Sequence, residues 1–197
     1  MRTLIDQSGY ADSRYRITIP RESPDRVIIS LEPYKPVPAE IMEHGARVIT
    51  VNLERHNPAA KSTTWMTERK SAVESFPSGI YEGILLTPDG ALLEGTSSNF
   101  YGIVEGKLRT ANEGVLPGIA RRALLTAAEG ILPIDLRPVH LGEIPALSEA
   151  FLTSAGRGVV PIVEIDGRLI GDGNPGPLTL RLREAYNAWS AAHLEPL

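Results

Sequence analysis

The stretch LLEGTSSNFYGIVEGKLRTANEGVLPGI, residues 92–119, decides how this chain is interpreted. It contains an acid, Glu94, at a glycine turn, and a run of three hydroxyl residues follows at 96–98. The sequence Leu-Pro-Gly-Ile at 116–119 then opens a helical pattern. A pyridine-based cofactor needs an acid beside its protonated ring nitrogen and a helix start that holds its phosphate. The stretch therefore predicts a site for such a cofactor.

A cofactor of this kind is held covalently by a lysine, and Lys61 is the candidate. It follows two alanines, and the pattern after it predicts a helix that begins at Ser62 or Thr63. Lysine forms a Schiff base only as the free amine, and the positive potential of a helix N-terminus lowers the pKa of an amine beside it. An isolated lysine is usually an exposed surface residue. Lys61 is a candidate for the cofactor lysine only because the acid and the helix start follow it in the chain.

The composition excludes several classes of site. The 197 residues carry 20 Lys and Arg against 24 Asp and Glu, a net charge of -4, with no basic block. This balance argues against nucleic acid and anionic membranes as partners and favours a small molecule. The absence of cysteine excludes disulfides, thiolate nucleophiles and zinc-cysteine sites, and the four histidines lack metal-ligand spacing. No apolar leader and no run of about 18 apolar residues occurs, so we expect a cytoplasmic protein.

Turn signals and hydrophobic periodicity predict an α+β fold. Strands are predicted at residues 14–19, 26–31, 46–51, 83–87, 91–94, 100–104, 107–110, 134–139, 150–153, 160–165 and 168–170. Helices are predicted from residue 62 or 63 onward, from the 116–119 turn to Gly130, and over 178–193. Hairpins mixed with a few helices show no regular βαβ alternation. A proline-containing connector suggests a first domain at 1–50 and a second at 51–197.

Four ordered segments resemble the class IV aminotransferases. These are the fold-type IV pyridoxal phosphate (PLP) enzymes, which include branched-chain and D-amino acid aminotransferases and aminodeoxychorismate lyase. The matching segments are PAAKSTTW at 58–65, DGALLEGTSSNFYGIVEGKLRT at 89–110, GVLPGIARRALL at 114–125 and LTSAGRGVVPIVEIDGRLIGDGNPGPLTLRLREAY at 152–186. The resemblance implies a remnant small domain and a large mixed-sheet domain with helices. It also implies a homodimer, with an amino acid and a 2-oxo acid as substrates.

The resemblance implies a role for each part of the motif. Lys61 would carry PLP as a Schiff base and shuttle the proton at the substrate α-carbon. Glu94 would keep the pyridine nitrogen protonated. The other cofactor-binding residues that it implies are Ser97, Ser98 and Asn99, the phosphate donors Gly118, Ile119 and Ala120, and a second phosphate loop with Ser154 and Ala155. Gly156 would bind the substrate carboxylate through its backbone N–H.

Departures from the family leave three readings open. Relatives usually carry threonine at the positions of Ala120 and Ala155, and the pair Arg157-Gly158 replaces an Ala-Glu. The first strands of the family's small domain, with an arginine that reaches the phosphate, have no counterpart here. The leading prediction is a transaminase, with a lyase of the aminodeoxychorismate type as the second. The third is a truncated remnant with a structural or interaction role and no catalysis.

Overall fold

The computed structural model describes residues 1–195. Its internal contacts divide these residues into two compact units. The first comprises Met1–Val37 with Leu194 and Glu195, and the second is Pro38–His193. The division at residue 50 suggested by the sequence stays a prediction about domains. The predicted strand at Ala46–Val51 lies well inside the second unit.

The first unit contains one short helix and one hairpin. Helix α1, Arg2–Ser8, ends at Gly9, whose φ of 66° is a left-handed conformation that glycine adopts without strain. Strands β1, Ser13–Thr18, and β2, Ile28–Pro33, pair antiparallel over their whole length. The hairpin predicted for this part of the chain is therefore present, with its second strand shifted by two residues.

The second unit contains four α-helices, one 3₁₀ helix and a large mixed sheet. Its first half comprises α2 Ala39–His44, β3 Ala46–Val51, α3 Thr63–Glu74, β4 Glu82–Leu86, β5 Ala91–Gly95, β6 Asn99–Val104, β7 Lys107–Arg109 and α4 Ile119–Ala128. Its second half comprises β8 Ile134–Asp135, β9 Val139–His140, a 3₁₀ helix Leu141–Ala146, β10 Leu147–Ser154, β11 Gly158–Ile165, β12 Arg168–Leu169 and α5 Pro177–Ala192. The mixture of strands and helices confirms the predicted α+β class.

Six of these strands close into a barrel. Strand β3 pairs in parallel with both β11 and β4, whereas β4 with β5, β10 with β11 and β10 with β6 pair antiparallel. A pairing between β5 and β6 completes the ring. Its register places Glu94 opposite Asn99. The acid of the predicted site therefore lies where the barrel closes, and the strands on both sides restrict its movement.

Helices α4 and α5 pack against each other and against β10, and α5 also packs against β11. The buried residues of α4 are Ala120, Ala123, Leu124 and Ala128, which lie at helical spacing on one face. The main buried cluster comprises Tyr101, Ile103, Leu108, Ala120, Ala123, Leu124, Ala128, Phe151, Val159, Leu182 and Tyr186. Among residues 1–195, no helix is both long enough and apolar enough to cross a bilayer.

Two local predictions differ from the structure. The single strand predicted at 134–139 is split, because β8 pairs with β7 whereas β9 pairs with β5. Pro138, between the two, lacks the N–H that a continuous strand would donate. Helix α2 was not predicted, since its six residues are too few to show a periodic apolar face.

Candidate active site

Glu94 is a buried acid held by three donors. Only 2% of its side chain is exposed. Arg55 Nη1 donates to Oε1 at 2.5 Å, whereas the backbone N–H of Leu116 and Asn99 Nδ2 donate to Oε2 at 2.9 and 3.4 Å. Burial raises the pKa of Glu94, and the bonds from Leu116 and Arg55 oppose that rise. A carboxylate has about four lone-pair sites, so one on Oε1 remains for a further donor.

Arg55 connects this acid to the segment that carries Lys61. Its Nη2 donates to the carbonyl oxygen of Ala60, the residue before Lys61, at 2.9 Å. Its side chain is 7% exposed and lies over the ring of Trp65, with 5.4 Å between the guanidinium carbon and the ring centroid. One guanidinium therefore fixes both the acid and the backbone beside the lysine.

Lys61 lies at the start of α3, as predicted. Ser62 caps the helix, its Oγ accepting from the backbone N–H of Trp65 at 3.2 Å. Trp65 Nε1 in turn donates to the carbonyl oxygen of Thr96 at 3.2 Å. The cap thus fixes the helix start beside the hydroxyl run, and the Lys61 side chain is exposed immediately before it.

The predicted first phosphate cradle lies at the start of α4. Gly118 caps this helix without a side chain, so the first N–H groups of α4 have no side-chain acceptor within the described residues. A Cβ at Gly118 would lie 2.6 Å from Asn99 Oδ1, which explains why glycine is needed there. Ile119 is 71% exposed and Ala120 is buried. Asn99 Nδ2 also donates to the carbonyl oxygen of Leu116 at 2.9 Å, which ties the cradle to the barrel.

A second group of polar residues surrounds Glu82, an acid on β4 whose side chain is 2% exposed. Arg157 Nη1 donates to Glu82 Oε2 at 2.6 Å, and both the backbone N–H and the Oγ of Ser97 donate to Oε1 at 2.6 and 3.0 Å. Arg157 Nε donates to Ser154 Oγ at 2.9 Å. The hydroxyl run and the predicted second phosphate loop are therefore joined through one arginine.

The structure thus brings the predicted residues into two hydrogen-bonded groups. The segment before Lys61 joins Glu94, Asn99 and the Leu116–Gly118 turn, whereas Ser97 joins Ser154. Ala155 and Gly156 are exposed beside Ser154. Ser98 is buried, and its Oγ has no hydrogen-bond partner among residues 1–195.

Three charged residues of the site were not predicted from the sequence: Arg55, Glu82 and Arg157. Arg157 was visible as a departure from the family without a chemical reason. Arg55 stands six positions before Lys61, and only its proximity to the lysine could have suggested it. Glu82 lacks a local signal, since an acid at the start of a strand is usually solvated.

The arrangement fits a phosphate-bearing pyridine. Glu94 has a free lone pair for a ring N–H, and the uncapped start of α4 offers N–H donors to a phosphate. Two buried polar atoms, Arg55 Nε and Ser98 Oγ, have no partner within residues 1–195. Such atoms are costly in an interior, which is consistent with a polar ligand beside them.

Comparison with known proteins agrees with these observations. The family model described as amino-transferase class IV matches residues 1–165. A putative branched-chain-amino-acid aminotransferase from Methanocaldococcus jannaschii is 32% identical over 159 residues, which cover 77% of this chain and 55% of that protein. The chain spans about half the length of the curated relatives it matches.

Solved structures share the fold. The structure of a putative branched-chain amino acid aminotransferase from Thermotoga maritima matches with a TM-score of 0.81 at 26% identity, over 98% of this chain and 70% of that one. A branched-chain amino acid aminotransferase of T.th., solved with pyridoxamine 5'-phosphate, matches in fold with a TM-score of 0.80 at 22% identity, over 94% and 68% of the two chains.

Proposed function

Because the chain belongs to the class IV aminotransferase family, whose fold-type IV architecture it shares, we propose that it is a PLP-dependent transaminase. It would move an amino group between an amino acid and a 2-oxo acid, with Lys61 as the covalent anchor of the cofactor. The observation that carries the proposal is the bridge made by Arg55. This residue joins the buried acid Glu94 to the backbone beside Lys61.

The bridge matters because PLP has its aldehyde carbon and its ring nitrogen at opposite ends of the ring. A protein that uses the cofactor must therefore hold a lysine and an acid at a fixed separation. Arg55 bonds both segments at once, and β5 fixes Glu94 at the closure of the barrel. The bound cofactor supplies an electron sink for the charge that forms at the substrate α-carbon.

The residues of the chain would divide the remaining work. The Lys61 amine would hold and move the proton at the α-carbon of the substrate. Glu94 would present the free lone pair of Oε1 to the ring N–H. The N–H groups of Ile119 and Ala120 would donate to the phosphate, aided by the positive end of α4. Gly156 would offer its N–H to the substrate carboxylate.

The names of the relatives favour branched-chain amino acids as the first donors to try. The test is an absorbance spectrum of the purified chain with and without PLP, then borohydride reduction and peptide mapping, then titration with L- and D-amino acids. We expect a band that shifts with the true donor and a reduced adduct on Lys61. A chain that takes up no PLP would instead support a remnant without catalysis. Light scattering would test the proposed homodimer.

Replacing the acid tests its part in turnover. With Glu94→Gln we expect amino transfer to fall about a hundredfold at saturating cofactor, because the charge facing the ring nitrogen is lost. The measurement is the rate of 2-oxo acid formation, with bound cofactor counted by absorbance. The matched control is Glu113→Gln, because Glu113 is an exposed acid in the loop before Leu116. This variant should keep the wild-type rate. Equal rates in Glu94→Gln and wild type would refute the role of Glu94.

A further inference from the structure

Almost all the N–H donors of Arg157 make hydrogen bonds to its own chain. Nη1 binds Glu82, Nε binds Ser154 Oγ, and Nη2 donates to both the carbonyl oxygen and the Oγ of Ser97, at 3.0 and 2.9 Å. Four of its five N–H groups are thus used, since guanidinium has five donors. A substrate carboxylate needs two free parallel donors for a bidentate pair. Arg157 is therefore arranged to position other residues and not to bind a substrate acid.

The charges in this group balance. Burial alone would lower the pKa of Arg157, but the charge and hydrogen bond of Glu82, together with Tyr81, outweigh burial and raise that pKa. The guanidinium therefore stays charged, and Glu82 neutralises it at 2.6 Å. The ring of Tyr81 lies on the guanidinium, with 5.6 Å to the centroid. The pair offers no net positive charge to an anion, so a phosphate must be recognised here by a hydrogen bond.

The two serines that Arg157 contacts differ in whether their hydroxyl already donates a hydrogen bond. Ser97 Oγ donates to Glu82 Oε1 at 3.0 Å and accepts from Arg157, so its single proton is already used. Ser154 Oγ accepts from Arg157 Nε at 2.9 Å and donates no hydrogen bond to any other residue that the structure describes. Ser154 therefore keeps a donor, and acceptance from a cation strengthens that donor.

We infer that the Arg157–Glu82 pair makes Ser154, and not Ser97, the hydroxyl donor to the cofactor phosphate. The inference rests on the proposed function, because it assumes that the phosphate of PLP lies at the loop of residues 154–157. Relatives usually have threonine hydroxyls at the positions of Ala120 and Ala155, and Ser154 would supply a hydroxyl donor in their place. Arg157 acts through Ser154 and is a positioning residue.

Comparing PLP with pyridoxal, which lacks the phosphate, isolates this contact. Affinities for both are measured by fluorescence titration in phosphate-free buffer, for the wild type, Ser154→Ala and Ser97→Ala. In Ser154→Ala we expect about a tenfold weaker affinity for PLP and an unchanged affinity for pyridoxal, since only PLP offers a charged acceptor. Ser97→Ala should change the ratio of the two affinities by less than about threefold.

Two further variants separate positioning from loss of structure. Ser154→Thr keeps the hydroxyl and should keep the wild-type ratio. Arg157→Gln should lower the ratio, and adding it to Ser154→Ala should lower the ratio no further, since both changes remove the same donor. Equal weakening of PLP and pyridoxal in Ser154→Ala, or a ratio lowered as much by Ser97→Ala, would overturn the inference.

The wild-type titration distinguishes this inference from the proposed function. A wild-type chain that binds PLP, combined with a Ser154→Ala variant of unchanged ratio, overturns the inference and leaves the transaminase proposal in place. A wild-type chain that binds neither PLP nor pyridoxal overturns both. Melting temperatures of all variants, compared with that of the wild type, identify any loss of fold.

Discussion

Replacing Lys61 by alanine is expected to abolish the covalent cofactor adduct and to lower amino transfer by at least about a thousandfold. The alanine has no amine to hold the cofactor or to move the proton at the α-carbon, and such acid-base groups contribute up to about 10⁴-fold. The fold should persist, because the Lys61 side chain is exposed and Ser62, not Lys61, caps α3. The measurements are borohydride reduction followed by intact mass, and initial rates with the best amino donor.

A second lysine provides the control for this experiment. Lys70 lies on α3, where it pairs with Glu74 at 3.7 Å and is 74% exposed. Lys70→Ala should therefore keep both the adduct and the rate, because a surface pair of this kind contributes little. An adduct of the same mass in Lys61→Ala would show that another amine holds the cofactor. The assignment of Lys61 would then be wrong.

The parts of this site that the sequence predicts are those whose signal is local. The helix start after Lys61 follows from a serine cap and a change of periodicity over a few residues. The turn before α4 follows from Leu-Pro-Gly-Ile in the same way. The hairpins between β4 and β5 and between β6 and β7 are given by their turn residues. Each of these features needs no information from elsewhere in the chain.

The parts that were missed depend on contacts between distant residues. Arg55 meets Glu94 from 39 positions away, and Arg157 meets Glu82 from 75 positions away. A single sequence does not show which acid pairs with which base, because every acid and every base looks alike along the chain. Closure of the barrel also depends on distant residues, since it requires β11 to pair in parallel with β3 and β10 to pair with β6.

Arg55 and Arg157, the two arginines that the sequence does not predict, each pair with a buried acid. Glu94 and Glu82 are each 2% exposed, and a carboxylate buried in this way is costly unless a cation pairs with it. Arg55 donates one hydrogen bond to Glu94 and leaves one lone pair of that carboxylate free. Arg157 and Ser97 donate to both carboxylate oxygens of Glu82. The two acids are therefore prepared differently. Glu94 is poised to accept a proton donor from a ligand, and Glu82 holds the surrounding loops.

Removing the guanidinium from the first pair should have the largest effect on stability. In Arg55→Leu we expect the free energy of unfolding to fall by about 3–5 kcal/mol near pH 8, because a buried carboxylate loses the cation that pairs with it. Burial already raises the pKa of Glu94, and without Arg55 that pKa rises further. The stability that protonated Glu94 provides is present below its unfolded pKa and is lost as pH rises through the raised folded pKa. Urea unfolding at pH 5 and pH 8 measures both quantities, and the deficit should be smaller at pH 5.

A surface pair of similar geometry gives the control. Arg47 binds Glu164 at 2.9 Å with about half of its side chain exposed, so Arg47→Leu should cost about 0–1 kcal/mol at either pH. The double variant Arg55→Leu/Glu94→Leu should recover part of the stability lost in Arg55→Leu, since no unpaired charge is left inside. A deficit in Arg55→Leu that stays constant between pH 5 and pH 8, or that the second substitution deepens, would mean that the lost contact is packing over Trp65. Arg55 would then not be the cation that keeps Glu94 ionised, and the bridge to Lys61 would have to be explained by the bond to Ala60 alone.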